Sequence, residues 1–165
     1  MEIKILWNPW RIEYIKSFNE RKTEEECIFC RLKDLKDEEA LIVHRGKYSF
    51  VVLNAYPYNS GHMMIAPYRH TSDFENLSEE EIHEIMFLTK KSIKVLKEVY
   101  KPSGFNIGLN IGRAAGAGVP GHIHLHIVPR WIGDTNFMAI IAGVKPLPES
   151  LKDSYNAIVK AWSRM

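Results

Sequence analysis

The sequence predicts an α+β fold, in which an antiparallel sheet of about five strands is covered by one long helix and a C-terminal helix. Three observations predict it. Short strand-like runs follow one another between Leu41 and Ala66 with loop residues between them, instead of alternating with helices. Ser78 followed by Glu81 is a capping box, and it opens an amphipathic segment that ends at Pro102 and Gly104. The stretch His122–Val128 alternates histidine with aliphatic residues at the period of a strand.

Composition sets the outer limits. The chain has 165 residues, which fits a single domain over 1–165 with a sizeable core. Apolar residues make up 45% and charged residues 25%, as in a soluble globular protein. With 22 basic and 20 acidic residues, net charge is near +2, which argues against a general nucleic-acid binder but leaves room for a local anion site. There is no long apolar run, and Met1–Trp7 lacks the pattern of a signal peptide, so a cytoplasmic location away from the membrane is expected. Cys27 and Cys30 are the only cysteines, too few for a disulfide framework.

The elements follow in order. Residues 1–20 carry Trp7, Trp10, Tyr14, Ile15 and Phe18, an aromatic arm that suits packing better than disorder. Residues 24–39 begin acidic and allow a short helix in their second half. Leu41–His44 and Tyr48–Asn54 read as strands joined by a turn at Arg45-Gly46-Lys47. After the loop Tyr56–Gly61, a third strand runs from His62 to Ala66 and stops at Pro67. The capped helix runs to about Tyr100, with Ile82, Ile85, Met86, Ile93, Leu96 and Val99 as its apolar stripe. Phe105–Asn110 is a fourth strand, Gly112–Gly121 is too glycine-rich for regular structure, and the histidine strand follows. Residues 132–148 read as mixed loop and 149–163 as a terminal helix.

A strand places His122, His124 and His126 on one face and Ile123, Leu125 and Ile127 on the other. The aliphatic face buries well. The histidine face is poor for packing and good for chemistry, although a solvated face is the bland alternative. The preceding loop carries glycines at 112, 116, 118 and 121, whose backbone N–H groups can close on an anion, phosphate above all. A neutral imidazole is nucleophilic near neutral pH and can form a covalent intermediate on phosphorus. Loop amides would stabilise charge on the transferring group. No P-loop pattern is present. The competing chemistry is a catalytic zinc held by His124 and His126.

These residues are also recognisable. His122-Ile123-His124-Leu125-His126-Ile127-Val128 resembles the motif of the histidine triad family of nucleotide hydrolases and transferases. Asn54–His62 resembles the family's upstream segment, in which an asparagine stands eight residues before a histidine. Leu6–Arg11, Cys27–Cys30, Ala66–His70, Pro129–Trp131 and Gly133–Phe137 look like the bacterial diadenosine tetraphosphate phosphorylase branch. The resemblance implies a histidine triad fold, a homodimer, a nucleotide substrate and inorganic phosphate as co-substrate. It implies His124 as the nucleophile, His126 on the phosphate and His62 as a supporting residue. Asn54, Asn110, Gly116, Gly118 and Val119 resemble substrate-binding positions, and Trp131 leans towards the site. Many relatives have a serine or threonine hydroxyl in the loop before the triad. Here that stretch reads Gly118-Val119-Pro120.

Cys27-x-x-Cys30 on its own fits buried thiols, a redox pair or half a zinc site. A redox pair normally sits beside a β-α-β pattern, which is missing from the sequence. The family branch implies a structural zinc completed by His70 and His122, with His44 as the substitute for His70. Arg113 and Arg130 could meet phosphates or simply be solvated. His83 is expected on the solvent side of the long helix. The run Glu79-Glu80-Glu81 suits the positive end of a helix dipole and needs no catalytic role.

Overall fold

The computed structural model describes residues 27–135 and 147–165. The aromatic arm and most of the loop after Asp134 lie outside the described residues. In chain order the elements are α1 (Ile28–Leu32), α2 (Asp37–Ala40), β1 (Ile42–Arg45), β2 (Ser49–Leu53), β3 (Met63–Pro67), α3 (Glu79–Tyr100), β4 (Gly104–Leu109), β5 (Leu125–Arg130) and α4 (Leu151–Trp162). The strands form one antiparallel sheet in the order β1-β2-β3-β5-β4, as expected for the α+β class. No described helix is long and apolar enough to cross a membrane.

Alternation along the strands divides the core in two. Val51, Leu53, Met63, Ile65, Leu125 and Ile127 face α3 and α4, where they meet Ile85, Leu88, Leu96, Ile158 and Trp162. Ile42, Phe50, Val52, Met64 and Ala66 face the other way and are covered by Cys27, Phe29, Cys30 and Ala40. Met64 pairs with His126 across the β3–β5 ladder, which puts the histidine on this second face.

The capping box forms as read: Ser78 accepts from the Glu81 N–H, and the Glu81 carboxylate accepts from the Ser78 N–H. The stripe of α3 needs one correction. Met86 is 56% exposed, because it stands one residue past buried Ile85 and so about 100° round the helix. Leu88 and Val95 take the sheet-facing positions instead. The β1–β2 turn is tied to α3 by Glu84, whose carboxylate accepts the N–H groups of Lys47, Tyr48 and Ser49 at 2.7 Å each. Only glycine fits at Gly46, since a Cβ there would lie 2.8 Å from the Ser49 carbonyl oxygen.

The histidine strand is shorter than its pattern. The ladder begins at Leu125, while His122 and His124 lie in the extended chain before it. Pro67, which has no N–H to donate, stands where the β3 ladder would continue. Ile123 donates to the Thr71 carbonyl at 2.8 Å, and the alternation of faces outlasts the ladder.

Candidate active site

His124 is 5% exposed, with its ring 4.8 Å from that of Phe29. Its Nδ1 lies 2.8 Å from the His122 carbonyl oxygen. A carbonyl can only accept, so Nδ1 carries the proton and Nε2 holds the lone pair. Burial lowers the pKa of the ring, against the opposing pull of that hydrogen bond. The result is a neutral imidazole with a nucleophilic Nε2.

The neighbouring histidine has the opposite polarity, and backbone geometry dictates it. His62 is fully buried, and its Nδ1 accepts the Tyr58 N–H at 3.1 Å. The Asn54 carboxamide also approaches Nδ1, at 3.3 Å. Its oxygen accepts from the Tyr56 N–H at 2.9 Å, so the NH2 end is the one facing His62. With Nδ1 accepting, the neutral His62 ring carries its proton on Nε2, which lies 2.9 Å from His126 Nδ1. His126 therefore accepts there and presents Nε2–H to the site. The His124 and His126 rings are 4.9 Å apart, so a lone pair and an N–H donor stand side by side. Gly61 makes this possible: its φ of +74° turns the chain into His62, and a Cβ would lie 2.7 Å from the Tyr100 ring.

A cavity of about 270 Å³ opens beside these rings. Phe29, Leu32, Leu41 and Leu53 make its apolar wall, and Asn54, Asn110, Gly116, Gly118 and Val119 line it together with His124 and His126. Every expected binding residue except Trp131 is thus brought to one place. Trp131 packs edge-on against Tyr100 at 6.3 Å and donates from Nε1 to the Tyr100 carbonyl at 3.4 Å. Asp134 ties this corner together: it accepts from the Trp131 N–H and forms a two-pronged pair with Arg130 at 2.6 and 2.9 Å.

The cysteines form a second cluster on the same face. His122 is 1% exposed, and its Nε2 lies 2.9 Å from the Pro67 carbonyl oxygen. By the same reasoning Nε2 is protonated, and Nδ1 turns its lone pair to Cys27 and Cys30, whose sulfurs lie at 3.4 and 3.6 Å. His70 Nδ1 is 3.3 Å from the Cys30 sulfur. All four ligand atoms lie within 4.8 Å of one another. A tetrahedral site with Zn–N and Zn–S bonds of about 2.0–2.3 Å separates its ligand atoms by about 3.3–3.8 Å, so these residues could hold a metal ion. His44 is elsewhere, with its ring 5.1 Å from that of Trp162.

Burial pushes the His122 pKa from 6.5 down to about 4. Between those values the unfolded chain binds a proton that the folded chain does not, so stability falls as pH drops through this window. Metal-stripped protein is expected to lose about 2 kcal/mol between pH 7 and pH 5 from this group alone. Urea unfolding at the two pH values checks it, and equal stabilities would show that His122 is not buried as a neutral ring.

Residues 36–131 match the HIT domain family model. The chain belongs to the histidine triad family. It is 42% identical over 168 aligned residues to a Mycobacterium tuberculosis protein named AP-4-A phosphorylase, covering 99% of this chain and 86% of that one. It is 33% identical over 89 residues to the asymmetrical bis(5'-nucleosyl)-tetraphosphatase of Schizosaccharomyces pombe, covering 54% and 48% of the two chains. Among solved structures, a Zn-bound histidine triad family protein from Mycobacterium smegmatis superposes with a TM-score of 0.69 at 23% identity, covering 86% of this chain and 96% of that one. That likeness shows the fold.

The histidine triad motif alone does not reveal every residue at the site. Tyr58 packs its ring 4.6 Å from His62 and stacks at 5.9 Å on His126. Its position four residues before His62, in a tight loop, was the available signal. Asn59 donates to both the Pro129 carbonyl and Asp134 at 2.8 Å, a pairing across 70 residues and more that no local pattern announces.

Proposed function

We propose that this histidine triad protein cleaves dinucleoside polyphosphates, diadenosine tetraphosphate foremost, by phosphorolysis to ADP and ATP. One observation carries the reading: a buried Nε2 lone pair on His124 stands beside an Nε2–H on His126 at the mouth of an apolar pocket. The apolar wall takes a base, and Asn54, Asn110 and the amides of Gly116–Val119 take the sugar and α-phosphate. His124 Nε2 attacks the α-phosphorus, the bond to the bridging oxygen breaks, and ATP leaves with that oxygen. His126 donates to a nonbridging oxygen as charge spreads over it. Inorganic phosphate then attacks the same phosphorus, the P–N bond breaks, and ADP is released with His124 restored. The name of the 42% identical relative supports phosphate as acceptor. The tetraphosphatase relative supports a second reading, in which water is the acceptor.

The same proposal includes a structural zinc on Cys27, Cys30, His70 and His122. Zinc there would fix α1 to the chain that carries His124. It also includes a homodimer, for which the outer strand β4 offers an edge with Ile107 exposed.

Incubation with diadenosine tetraphosphate, with and without phosphate, tests the function. ADP and ATP formed only with phosphate is the expected result. AMP formed at the same rate without phosphate would replace the phosphorylase by a hydrolase. No product from dinucleoside polyphosphates or nucleoside phosphoramidates would sink the enzyme reading.

A further inference from the structure

The short helix α2 is clamped at both ends. At its start, Arg45 donates from Nε to the Asp37 carboxylate at 2.7 Å, and from its other two nitrogens to the Lys33 and Leu35 carbonyls at 2.6 and 2.8 Å. At its end, Leu41 takes a φ of +58°, in the left-handed region that usually calls for glycine. A glycine there would relax the backbone and remove part of the cavity wall, because Leu41 lines the cavity beside His124 and His126. The Leu53 N–H donates to the Leu41 carbonyl at 3.0 Å and fixes the turn to β2.

This clamp displays Glu39. Of the acidic run Asp37-Glu38-Glu39, Asp37 is taken up by Arg45, Glu38 does not line the cavity, and Glu39 does. Glu39 is the only Asp, Glu, Lys or Arg among the described residues that line it. It makes no ion pair with any described residue. A carboxylate repels a polyphosphate chain, so holding phosphate is not what it can do. In the chain it adjoins Ala40 and Leu41, which line the cavity with the apolar residues Phe29 and Leu32.

We infer that Glu39 is the base-selecting residue of this pocket, and that its carboxylate accepts the exocyclic amine of adenine. The inference rests on the function proposed above and deepens it by naming the base. An ionised carboxylate only accepts hydrogen bonds. Adenine offers an amine donor at the position where guanine carries a carbonyl. A site built around a polar group rejects an analogue that lacks its partner far more strongly than an apolar pocket rejects a change of shape, because the polar group is left unpaired. The same charge orients the nucleotide, by keeping the phosphates away from the apolar wall.

AMP, GMP and purine riboside monophosphate, which is AMP without its amine, are titrated calorimetrically into full-length protein. Wild type is compared with Glu39→Ala and with Glu38→Ala, the neighbouring charge that does not reach the cavity. Wild type is expected to bind AMP about tenfold or more tightly than either of the other two, the scale of a hydrogen bond to a charged group. Glu39→Ala is expected to bind AMP and purine riboside monophosphate within about twofold of each other, while Glu38→Ala keeps the wild-type ratio. Equal binding of these two ligands by wild type would overturn the inference, and so would a preference for AMP that survives in Glu39→Ala. GMP bound more tightly than AMP would overturn the choice of adenine. A ratio lost equally in Glu38→Ala would overturn the assignment to Glu39, by returning the effect to the net charge of α2. If wild type binds none of the three, the nucleotide reading itself fails and the base selection falls with it.

Discussion

On the proposed reaction, replacing His124 by asparagine is expected to lower turnover of diadenosine tetraphosphate by about 10⁴-fold or more, while AMP still binds. The size follows from what the imidazole supplies. Its Nδ1–H is spent on the His122 carbonyl, and everything chemical resides in the Nε2 lone pair. An asparagine NH2 can replace the bond to that carbonyl, so the side chain stays in place and the pocket keeps its shape. A carboxamide has no nucleophilic lone pair at neutral pH, and no neighbour substitutes. His126 presents a proton to the site, because its other nitrogen accepts from His62, which in turn is fixed by the Tyr58 N–H. Loss of the proposed nucleophile would therefore not be compensated by the ring beside it. Rapid-quench kinetics add a second readout. Wild-type protein without phosphate is expected to release about one ATP per active site and then stall, as a covalent intermediate requires. The variant releases none. Residual turnover above about one percent of wild type, at any phosphate concentration, would remove His124 from the nucleophile's role.

Much of this arrangement was legible before the fold was known, because it is local. The capping box at Ser78 and the stop at Pro102 and Gly104 bracket α3 by backbone chemistry alone. The alternation His122–Ile127 assigns faces through the pleat, and it holds even where the hydrogen-bonded ladder has not begun. What stayed hidden is the pairing of side chains that no motif names. The partners of Arg130 are Asp134, four residues on, and Asn106, on the neighbouring strand. Trp131, beside that pair, packs edge-on against Tyr100 and is not among the residues lining the cavity beside the histidines. Met86 shows a different limit: a helical stripe read by hydrophobicity alone can drift by one residue, and one residue exchanges core for solvent. The choice between His44 and His70 was likewise open in the sequence. Register decides it, since β1 carries His44 towards α4 and Trp162, on the side away from the cysteines.

Protein purified without chelator is expected to hold about one zinc per chain, and Cys30→Ser is expected to lose it together with about 10 °C of Tm. Four contributions converge on that figure. Cys27 and Cys30 lie at the start of α1, a helix of five residues that is too short to stand by propensity. The cluster joins α1 to His70 after β3 and to His122 before β5, segments separated by 40 residues and more. A metal there closes long loops of the unfolded chain, and its binding free energy adds directly to folding. Without it, two buried sulfurs and a buried imidazole lone pair face one another with weak hydrogen bonds between them. The effect is expected to reach His124 as well. The Nε2–H of His122 is pinned to Pro67 and its carbonyl orients His124, so a loosened His122 ring lets the His124 tautomer relax. Phe29 and Leu32 of the apolar wall lie on α1 on either side of Cys30, so Cys30→Ser should depress kcat and weaken AMP binding together. Elemental analysis showing less than about 0.1 zinc per chain, or a variant that melts with the wild type, would dissolve the metal site and return Cys27-x-x-Cys30 to a pair of buried thiols.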